Sequence, residues 1–307
     1  MTWTELEEEW LGPNDVLHCH TSGSTGTPKA IELPKPQVAV SAGRTVSFFG
    51  LGPDSHLHSC LAPDYIGGKM MMIRAMICGG RFTWEKPSNR PLADCKESRI
   101  DLLCVVPSQL LYIVHNAAHL SEIKNILVGG SPVSETLRKE VAASGLTVWE
   151  TYGMTETASH IAIRRVTDPQ GPFRPLPGIA VSAPAGTLEI EIAGWQRFVT
   201  NDIAEIESDG SFQILGRADN VIITGGLKVH PESVERKLGA LLPFPVMLTS
   251  EPDEKWGERT VLLVENPTMT IDEIMAKCRS LLAAHEIPKE IRIAAIPRTA
   301  NGKIRRK

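Results

Sequence analysis

The 307-residue chain lacks the features that would assign it to several common functional classes. Its charges sum to −4, from 32 Lys and Arg against 36 Asp and Glu, so no global positive field exists to hold a nucleic-acid backbone or an acidic membrane. Its most apolar window, residues 70–78, contains Arg74 and is far shorter than the roughly 20 residues that a membrane helix needs. We therefore expect no nucleic-acid partner and no membrane span, and any bound phosphate must be held by local groups.

The sequence also shows no closely spaced cysteine pair and no pattern typical of a targeting segment. The six cysteines include no CxxC pair, and no basic-then-apolar leader precedes the acidic start MTWTELEEEW. This pattern predicts a cytoplasmic chain with reduced thiols. The run His18, Cys19 and His20 does not predict a metal site, because three consecutive residues of a strand cannot all point one way.

Length and hydrophobic patterning predict two domains with α/β character. About 150 residues per domain is usual, and an apolar share of 42% is ample for a core. Short apolar runs alternate with longer helical patterns, which is typical of a layered α/β sheet. Apolar and acidic residues alternate at period two over Thr187–Ala193, which predicts an antiparallel, half-buried β segment.

The last 90 residues have helices and strands of their own. The predicted elements are a helix that starts at Pro231, a strand at Thr260–Val264, a helix capped by Thr270 and Glu273, and a strand at Ile291–Ile296. We therefore expect a large domain over residues 1–218 and a small α+β domain over residues 219–307.

The most specific local pattern is the stretch Thr21–Lys29, which is rich in glycine and hydroxyl groups. Glycines let the backbone approach a ligand, hydroxyls donate hydrogen bonds, and Lys29 supplies a positive charge, so the stretch has the ingredients of a polyphosphate cradle. It is not the GxxxxGK[ST] loop, because Ala30 follows the lysine. A flexible Gly/Ser/Thr turn is the alternative interpretation.

Further motifs follow this stretch in a fixed order. They are Val128–Ser131 (VGGS), Tyr152–Glu156 (YGMTE), Thr200–Asp202 (TND), Gly216–Asp219 (GRAD) and Pro297–Lys303 (PRTANGK). Together the motifs resemble those of the adenylate-forming superfamily, which includes acyl- and aryl-CoA ligases, luciferases and peptide-synthetase adenylation domains. The resemblance implies a large α/β domain with an antiparallel β segment and a small mobile C-terminal domain. It also implies an enzyme that joins a small-molecule carboxylate to the α-phosphate of ATP, releases pyrophosphate, and passes the acyl group to CoA.

The resemblance implies specific roles around the nucleotide. The β- and γ-phosphates would be held by Thr21, Ser22, Gly23, Ser24, Thr25, Gly26 and Lys29. Thr155 would bind the α-phosphate, and Glu156 would help to hold Mg²⁺, a hard cation that prefers oxygen ligands. The AMP moiety would contact Gly129, Gly130, Ser131, Tyr152, Asp202 and Arg217. Taken alone, Glu156 would be read as a solvated loop acid, and Gly129 with Gly130 as a strand-ending turn.

The C-terminal motifs imply a two-step reaction with a domain movement between the steps. Lys303 would bridge the substrate carboxylate and the α-phosphate, and Asp219 would be the hinge. Gly225, Gly226 and Lys228 would then line the path of the CoA thiol. On composition alone, the tail after Lys303 is only solvated basic charge, and residues 222–226 are a strand and a turn.

Two stretches narrow the acid that is activated. Gly68–Arg74 and Tyr152–His160 look most like the branch of the superfamily that activates o-succinylbenzoate in menaquinone synthesis. Arg74 would pair with the carboxylate that is not activated, and Ser159 and His160 would complete the polar end of the pocket. A surface arginine with its stem along apolar residues is the alternative for Arg74.

The chain departs from the superfamily in three ways. Only 20 residues precede the phosphate-binding stretch, whereas members usually have a much longer N-terminal region. The glycine-rich stretch after Gly186–Ile190 is shortened, and Tyr65 replaces the gating histidine of the family's HxxG motif, so Tyr65 is a further acyl-pocket candidate. A ligase for another aryl or short acyl acid, an enzyme without the CoA step, and a degenerate AMP-binding regulatory module therefore stay open. The sequence is compatible with a homodimer.

Overall fold

A computed structural model describes residues 1–20, 29–93, 95–116, 122–168, 171–298 and 304–306. The chain divides into two compact units. Unit 1 comprises residues 1–133, 137–180 and 192–196, and unit 2 comprises residues 134–136, 181–191 and 197–307. The antiparallel β segment thus groups with the C-terminal part of the chain. The boundary between residues 218 and 219 was predicted as the start of a mobile C-terminal domain, and it stays a prediction.

Seven α-helices lie in the described ranges. They are α1 (Trp3–Leu11), α2 (Lys35–Phe49), α3 (Ile66–Cys78), α4 (Pro107–Asn116), α5 (Glu135–Ser144), α6 (Pro231–Gly239) and α7 (Ile271–Leu281). Both α1 and α7 start at capping boxes, in which the hydroxyl of Thr2 or Thr270 accepts the N–H of the glutamate three residues later. These capping boxes satisfy backbone N–H groups that the first helical turn leaves unpaired. The capping box at Thr270 was predicted from the sequence.

Unit 1 holds eleven strands within its described residues. They are β1 (Val16–His20), β2 (Ala30–Pro34), β3 (His56–Ser59), β4 (Arg81–Trp84), β5 (Arg99–Ile100), β6 (Leu102–Val105), β7 (Glu122–Ile123), β8 (Ile126–Val128), β9 (Val148–Met154), β10 (Ser159–Arg165) and β11 (Arg174–Pro175). Seven of them form a mixed sheet in the order β11-β10-β9-β8-β6-β3-β4. The neighbouring strands β9, β8, β6, β3 and β4 are parallel to one another. Strands β10 and β11 are antiparallel to their neighbours. Parallel strands are covered on both faces, which explains why all three residues of β8 are buried and apolar.

Three hydrophobic clusters of described residues hold unit 1 around this sheet, and the smallest contains Leu57, Met71 and Leu102. In one, α4 and α5 pack on the sheet through residues such as Leu110, Leu137 and Val141. In another, α1, α2 and α3 pack with the antiparallel hairpin of β1 and β2. Helix α3 is buried from Gly68 to Ala75, so the apolar window of the sequence is a core helix.

Unit 2 is built on two sheets. The remaining strands are β12 (Ile179–Ser182), β13 (Thr187–Ile192), β14 (Phe198–Ile206), β15 (Phe212–Arg217), β16 (Ile222–Thr224), β17 (Leu227–Val229), β18 (Val246–Asp253), β19 (Gly257–Val264) and β20 (Glu290–Ile293). Strands β12 to β15 form one sheet in sequential order, and the second has the order β17-β16-β19-β18 with β20 parallel to β19. Residues of α6 and α7, such as Val234, Leu238 and Ile274, form one core with this second sheet.

Two local expectations need correction. Strand β20 ends at Ile293 and not at Ile296, since backbone pairing with β19 stops at Val264. Strand β13 pairs antiparallel with β14 as predicted, but its alternation breaks because Glu189 is buried. The carboxylate of Glu189 forms an ion pair with Arg197, which offsets the cost of removing the charge from water.

Candidate active site

The predicted phosphate-binding stretch lies mostly outside the described residues. Its members Thr21, Ser22, Gly23, Ser24, Thr25 and Gly26 are not described, and Lys29 is exposed directly before β2. The flanking strands form a regular hairpin, with Val16 opposite Pro34 and His20 opposite Ala30. The stretch therefore joins two strand ends that the hairpin holds side by side.

The VGGS motif begins where β8 ends in the parallel sheet. Gly129 donates its N–H to the carbonyl of Val105 on β6 at 3.1 Å. A Cβ on Gly129 would lie 2.5 Å from Thr151 Oγ1, which donates to the carbonyl of Val128. Any other residue at position 129 would displace the Thr151 hydroxyl from this bond. Gly130 and Ser131 follow at the carboxyl end of the strand, where open α/β sheets bind ligands.

The YGMTE motif covers the end of β9 and one 3₁₀ turn, Thr155–Thr157. Tyr152 is half-buried, and its ring lies 5.7 Å from that of Phe173. Thr155 and Glu156 are half-buried on the turn, so their oxygen atoms are available to a ligand.

The turn between β9 and β10 is held by residues that the sequence did not single out. Ala158 and Ser159 have φ values of 51° and 102°, which are unfavourable for non-glycine residues. The buried hydroxyl of Thr157 bonds to the carbonyl of Ser159 at 2.8 Å, and that of Ser41 on α2 bonds to the carbonyl of Ala158 at 2.8 Å. These bonds fix a strained turn next to Glu156 and Ser159.

The three polar candidates for the acyl pocket come together in unit 1. Arg74 on α3 is 1% exposed, and its Nη2 donates to Ser159 Oγ at 3.0 Å. The same nitrogen lies 3.5 Å from His160 Nδ1. The alternative of a surface arginine is therefore wrong.

Thr45 on α2 completes this group and was not predicted. Arg74 can only donate, so His160 Nδ1 accepts, and His160 Nε2–H donates to Thr45 Oγ1 at 3.2 Å. Burial, together with the Arg74 charge, holds the pKa of His160 well below its usual range, so its ring is neutral at pH 7. Polar residues one helical turn apart on α2, Ser41 and Thr45, were the available signal.

Arg74 remains a cation in this setting. Burial lowers its pKa to about 10, so it is still protonated at pH 7. Its Nε is buried and has no hydrogen-bond partner among the described residues, and no carboxylate is among the groups that shift its pKa. An unpaired buried cation is costly, so this group is suited to a bound anion.

Tyr65 does not belong to this polar group. It precedes α3 as its N-cap residue and is 59% exposed, whereas Arg74 lies nine residues later, about 13 Å further along the helix axis. Its assignment to the acyl pocket stays a prediction.

Asp202, Arg217 and Asp219 come together in unit 2. Asp202 on β14 lies opposite Arg217 on β15 in the strand register. Arg217 donates from Nη1 to Asp202 at 3.4 Å and from Nη2 to Asp219 at 3.0 Å, and Asn201 also donates to Asp219 at 3.2 Å. Arg217 thus orients the carboxylate of Asp202, which can accept hydrogen bonds from a diol.

The residues predicted for the thiol step lie on the hairpin of β16 and β17. Gly225 and Gly226 form its two-residue turn with φ values of 56° and 80°, a geometry that favours glycine. Lys228 follows on β17 and is exposed. Lys303 lies outside the described residues, although its flanks Arg298 and Ile304 form a β-bridge.

Comparison with known proteins agrees with these motifs. Residues 2–200 match the family described as AMP-binding enzyme, and residues 246–303 match the C-terminal domain of AMP-binding enzymes. The chain belongs to the AMP-binding enzyme family. This confirms the predicted superfamily, the α/β fold class and the class of enzyme, an AMP-forming acid–thiol ligase.

The chain is similar to particular acid–CoA ligases. It is 29% identical to the 2-succinylbenzoate–CoA ligase of Listeria monocytogenes, over 98% of this chain and 71% of that protein. It is 27% identical to the indoleacetate–CoA ligase of Aromatoleum aromaticum, over 96% and 67%.

Two solved structures are also similar to the chain. An acyl-CoA synthetase (AMP-forming)/AMP-acid ligase II-like protein from Dyadobacter fermentans matches at 34% identity with a TM-score of 0.66, over 98% of this chain and 90% of that one. The o-succinylbenzoate CoA synthetase of Bacillus subtilis, in complex with its acyl-adenylate, matches at 22% identity with a TM-score of 0.82, over 94% and 67%, and shows the fold. Among the described residues, no helix has both the length and the apolar character needed to cross a bilayer.

Proposed function

We propose that this chain is an ATP-dependent acid–CoA ligase whose acid is o-succinylbenzoate. The carboxylate attacks the α-phosphate of ATP, the bond to pyrophosphate breaks, and an acyl-AMP anhydride forms. The thiol of CoA then attacks the acyl carbon, AMP leaves, and a thioester results. ATP, Mg²⁺ and CoA are the reactants and cofactors that this scheme requires, and it places the chain in menaquinone biosynthesis in the cytoplasm.

The observation that carries the choice of acid is the buried guanidinium of Arg74. It contacts Ser159 and His160, retains its charge, and has an unpartnered Nε. o-Succinylbenzoate has a second carboxylate, and a planar carboxylate matches the fork of a guanidinium. A monocarboxylic acid would leave this buried cation unpaired, which favours the dicarboxylate.

Two groups of residues are assigned to the nucleotide. Gly129, Gly130 and Ser131 are assigned to the flat base, against which Tyr152 stacks. Asp202 accepts hydrogen bonds from the ribose hydroxyls. Arg217, which already orients this carboxylate, contacts ribose or phosphate.

The phosphates are assigned to Lys29 with the stretch before it, and to Thr155. Glu156 suits Mg²⁺, because a half-buried carboxylate on an open turn offers the oxygen ligands that this cation prefers. Bound Mg²⁺ would neutralise charge on the phosphates. Thr155 donates a hydrogen bond to the α-phosphate, where charge accumulates in the transition state.

The candidate residues of the C-terminal part are assigned to adenylation or to thioester formation. Lys303 holds the attacking carboxylate and the α-phosphate together, so that two anions that repel each other can meet. Asp219 is the hinge between the domains over residues 1–218 and 219–307. Gly225, Gly226 and Lys228 line the path of the thiol in the second step. A homodimer is compatible with the scheme and is not required by it.

Product analysis with a panel of acids tests this function. We expect AMP and pyrophosphate with o-succinylbenzoate, a thioester only when CoA is present, and weak turnover with benzoate. ADP as the stoichiometric product would exclude adenylation. A preferred monocarboxylate would overturn the choice of acid and leave the ligase class standing, and AMP binding without turnover of any acid would support a regulatory module.

A further inference from the structure

Three metal-ligand side chains meet at the carboxyl ends of β3 and β4, and none of them has a role in the proposed reaction. His58 lies on β3, Cys60 follows β3 directly, and Glu85 follows β4 directly. The His58 ring nitrogen, Cys60 Sγ and a Glu85 carboxylate oxygen lie within 4.8 Å of one another. No sequence pattern indicates this group, because its members meet only through the parallel pairing of β3 with β4.

A chain of hydrogen bonds determines which nitrogen of His58 carries the proton. His56 Nδ1 lies 2.8 Å from the carbonyl of Arg99, which can only accept, so in a neutral His56 ring Nδ1 carries the proton and Nε2 is an acceptor. Thr83 Oγ1 lies 2.6 Å from His56 Nε2 and therefore donates its single proton there. Thr83 can then only accept from His58 Nδ1, at 2.7 Å.

The free lone pair of His58 consequently points at the other two groups. Nε2 is unprotonated in this arrangement, is buried, and has no hydrogen-bond partner among the described residues. His58 is 3% exposed. A metal-binding imidazole usually donates a hydrogen bond from its other ring nitrogen, which fixes the orientation of the ring, and Thr83 accepts this bond from Nδ1 of His58.

Glu85 and Cys60 supply the remaining donor atoms. The N–H of Leu92 donates to both carboxylate oxygens of Glu85, at 2.9 and 3.1 Å, and so orients the group. Glu85 Oε2 lies 3.7 Å from His58 Nε2, close to the separation of about 3.4 Å between two ligands of a tetrahedral zinc ion. A lone pair and a carboxylate that face each other repel unless a cation or a proton lies between them.

We propose that His58, Cys60 and Glu85 bind a Zn²⁺ ion at the carboxyl ends of β3 and β4. One thiolate, one imidazole and one carboxylate form a borderline ligand set suited to zinc, with water in the fourth position. Glu85 is partly exposed, with 22% of its side chain accessible, so the ion can enter from this side.

Charge and protons balance on binding. The thiolate and the carboxylate together neutralise the two positive charges of the ion. The proton of the Cys60 thiol passes to solvent when the S–Zn bond forms. Binding is therefore tighter at higher pH, and it ties together the two strand ends and the segment at Leu92.

Metal titration of the full chain tests the site. The chain, stripped with a chelator, is titrated with Zn²⁺ in competition with a chromophoric chelator, and we expect one equivalent to bind. Cys60→Ser and His58→Gln should each weaken binding at least about 100-fold, and Thr83→Val about 10-fold, since Thr83 acts through His58. Cys278→Ser removes another fully buried thiol, in unit 2, and should leave binding unchanged.

Cobalt binding to the wild-type chain provides a readout that does not depend on whether the Cys60 and His58 variants fold. The wild-type chain with Co²⁺ should show the intense near-ultraviolet absorption of a thiolate bound to cobalt, and Cys278→Ser should retain it. Absence of this absorption in the wild type, or a lack of stoichiometric Zn²⁺ binding, would overturn the proposal. So would unchanged zinc affinity in folded Cys60→Ser and His58→Gln. These results would identify the cluster as a metal-free hydrogen-bonded group in which a proton lies between His58 and Glu85.

Discussion

The guanidinium of Arg306 holds the carboxylate of Glu235 through two parallel hydrogen bonds, from Nη1 to Oε1 at 2.7 Å and from Nη2 to Oε2 at 2.6 Å. Glu235 lies on α6, and Arg306 Nη1 also donates to the carbonyl of Leu248 on β18 at 3.2 Å. The chain is therefore fixed to the core of unit 2 three residues after Lys303. Bidentate, largely buried pairs of this kind are the strong ones.

Removal of Arg306 should destabilise unit 2 substantially. Arg306→Ala leaves the Glu235 carboxylate buried without its partner, at an expected cost of about 3–5 kcal/mol. Hydrogen exchange of α6 and β18 in the full chain measures the loss locally. Arg292→Ala is the matched control, because Arg292 forms a similar fork with Glu251 at the exposed surface, and it should have little effect. Equal protection in the two variants would contradict a role of burial.

A second buried charge network should matter for unit 1. Glu150 accepts hydrogen bonds from Arg138 and from Arg164 Nε, the latter at 2.7 Å, and from the N–H of Val133 at 3.2 Å. Glu150→Gln leaves two buried guanidinium groups without a counter-charge, which should cost about 3–5 kcal/mol in the free energy of unfolding. Urea unfolding at pH 7 measures this loss.

The same substitution should change the dependence of stability on pH. Burial alone would raise the pKa of Glu150, but Arg164 and Arg138 outweigh it and hold the pKa below the ordinary 4.5. The unfolded chain thus binds a proton at Glu150 more readily than the folded chain. The stability that the ionised Glu150 carboxylate contributes is therefore complete above pH 4.5 and is lost as the pH falls below it. Wild type and Glu150→Gln should therefore converge in stability as the medium becomes acidic. Parallel curves would show that Glu150 has no depressed pKa.

The parts of the molecule that could be predicted are those that depend on neighbouring residues. Strand β8, the capping box at Thr270 and the Pro231 start of α6 follow from local patterns. The meeting of Arg74 with Ser159 and His160 was predicted only through a resemblance, because α3 and β10 are far apart in sequence. Thr45 and Thr157 were missed because a hydroxyl in a helix or a turn does not identify its tertiary partner, although the spacing of Ser41 and Thr45 marks a polar side of α2. His58, Cys60 and Glu85 were missed for the same reason.

The two half-reactions should separate by mutation in the C-terminal part. Lys303→Ala should slow acyl-AMP formation on the order of 10²-fold or more, because it removes the charge contact that the proposed function assigns to Lys303 in the transition state. Thioester formation from supplied acyl-AMP should persist. Gly226→Leu should do the reverse by blocking the thiol. Rapid-quench assays of each half-reaction measure both effects.

A control is needed for Gly226, because its φ of 80° strains any larger residue whatever the function. Gly210, with a φ of 79°, lies in the turn between β14 and β15, and a Cβ added there would contact nothing within 4 Å. Gly210→Leu should therefore carry a similar backbone strain and leave both half-reactions intact. Loss of the same half-reaction in the Lys303 and Gly226 variants would refute the two-conformation scheme.

Arg74 gives the sharpest test of the substrate. If its guanidinium pairs with the second carboxylate of o-succinylbenzoate, Arg74→Ala leaves that charge buried and unpaired. The loss in kcat/KM should then correspond to about 2–4 kcal/mol of transition-state stabilisation. Benzoate has no such group, so its weak activation should hardly change. Arg44→Ala removes an arginine of α2 that donates to the carbonyl of Pro177, and it should affect neither acid. Equal losses for both acids in Arg74→Ala would assign Arg74 a structural role, since only a substrate contact can distinguish an acid with a second carboxylate from one without it.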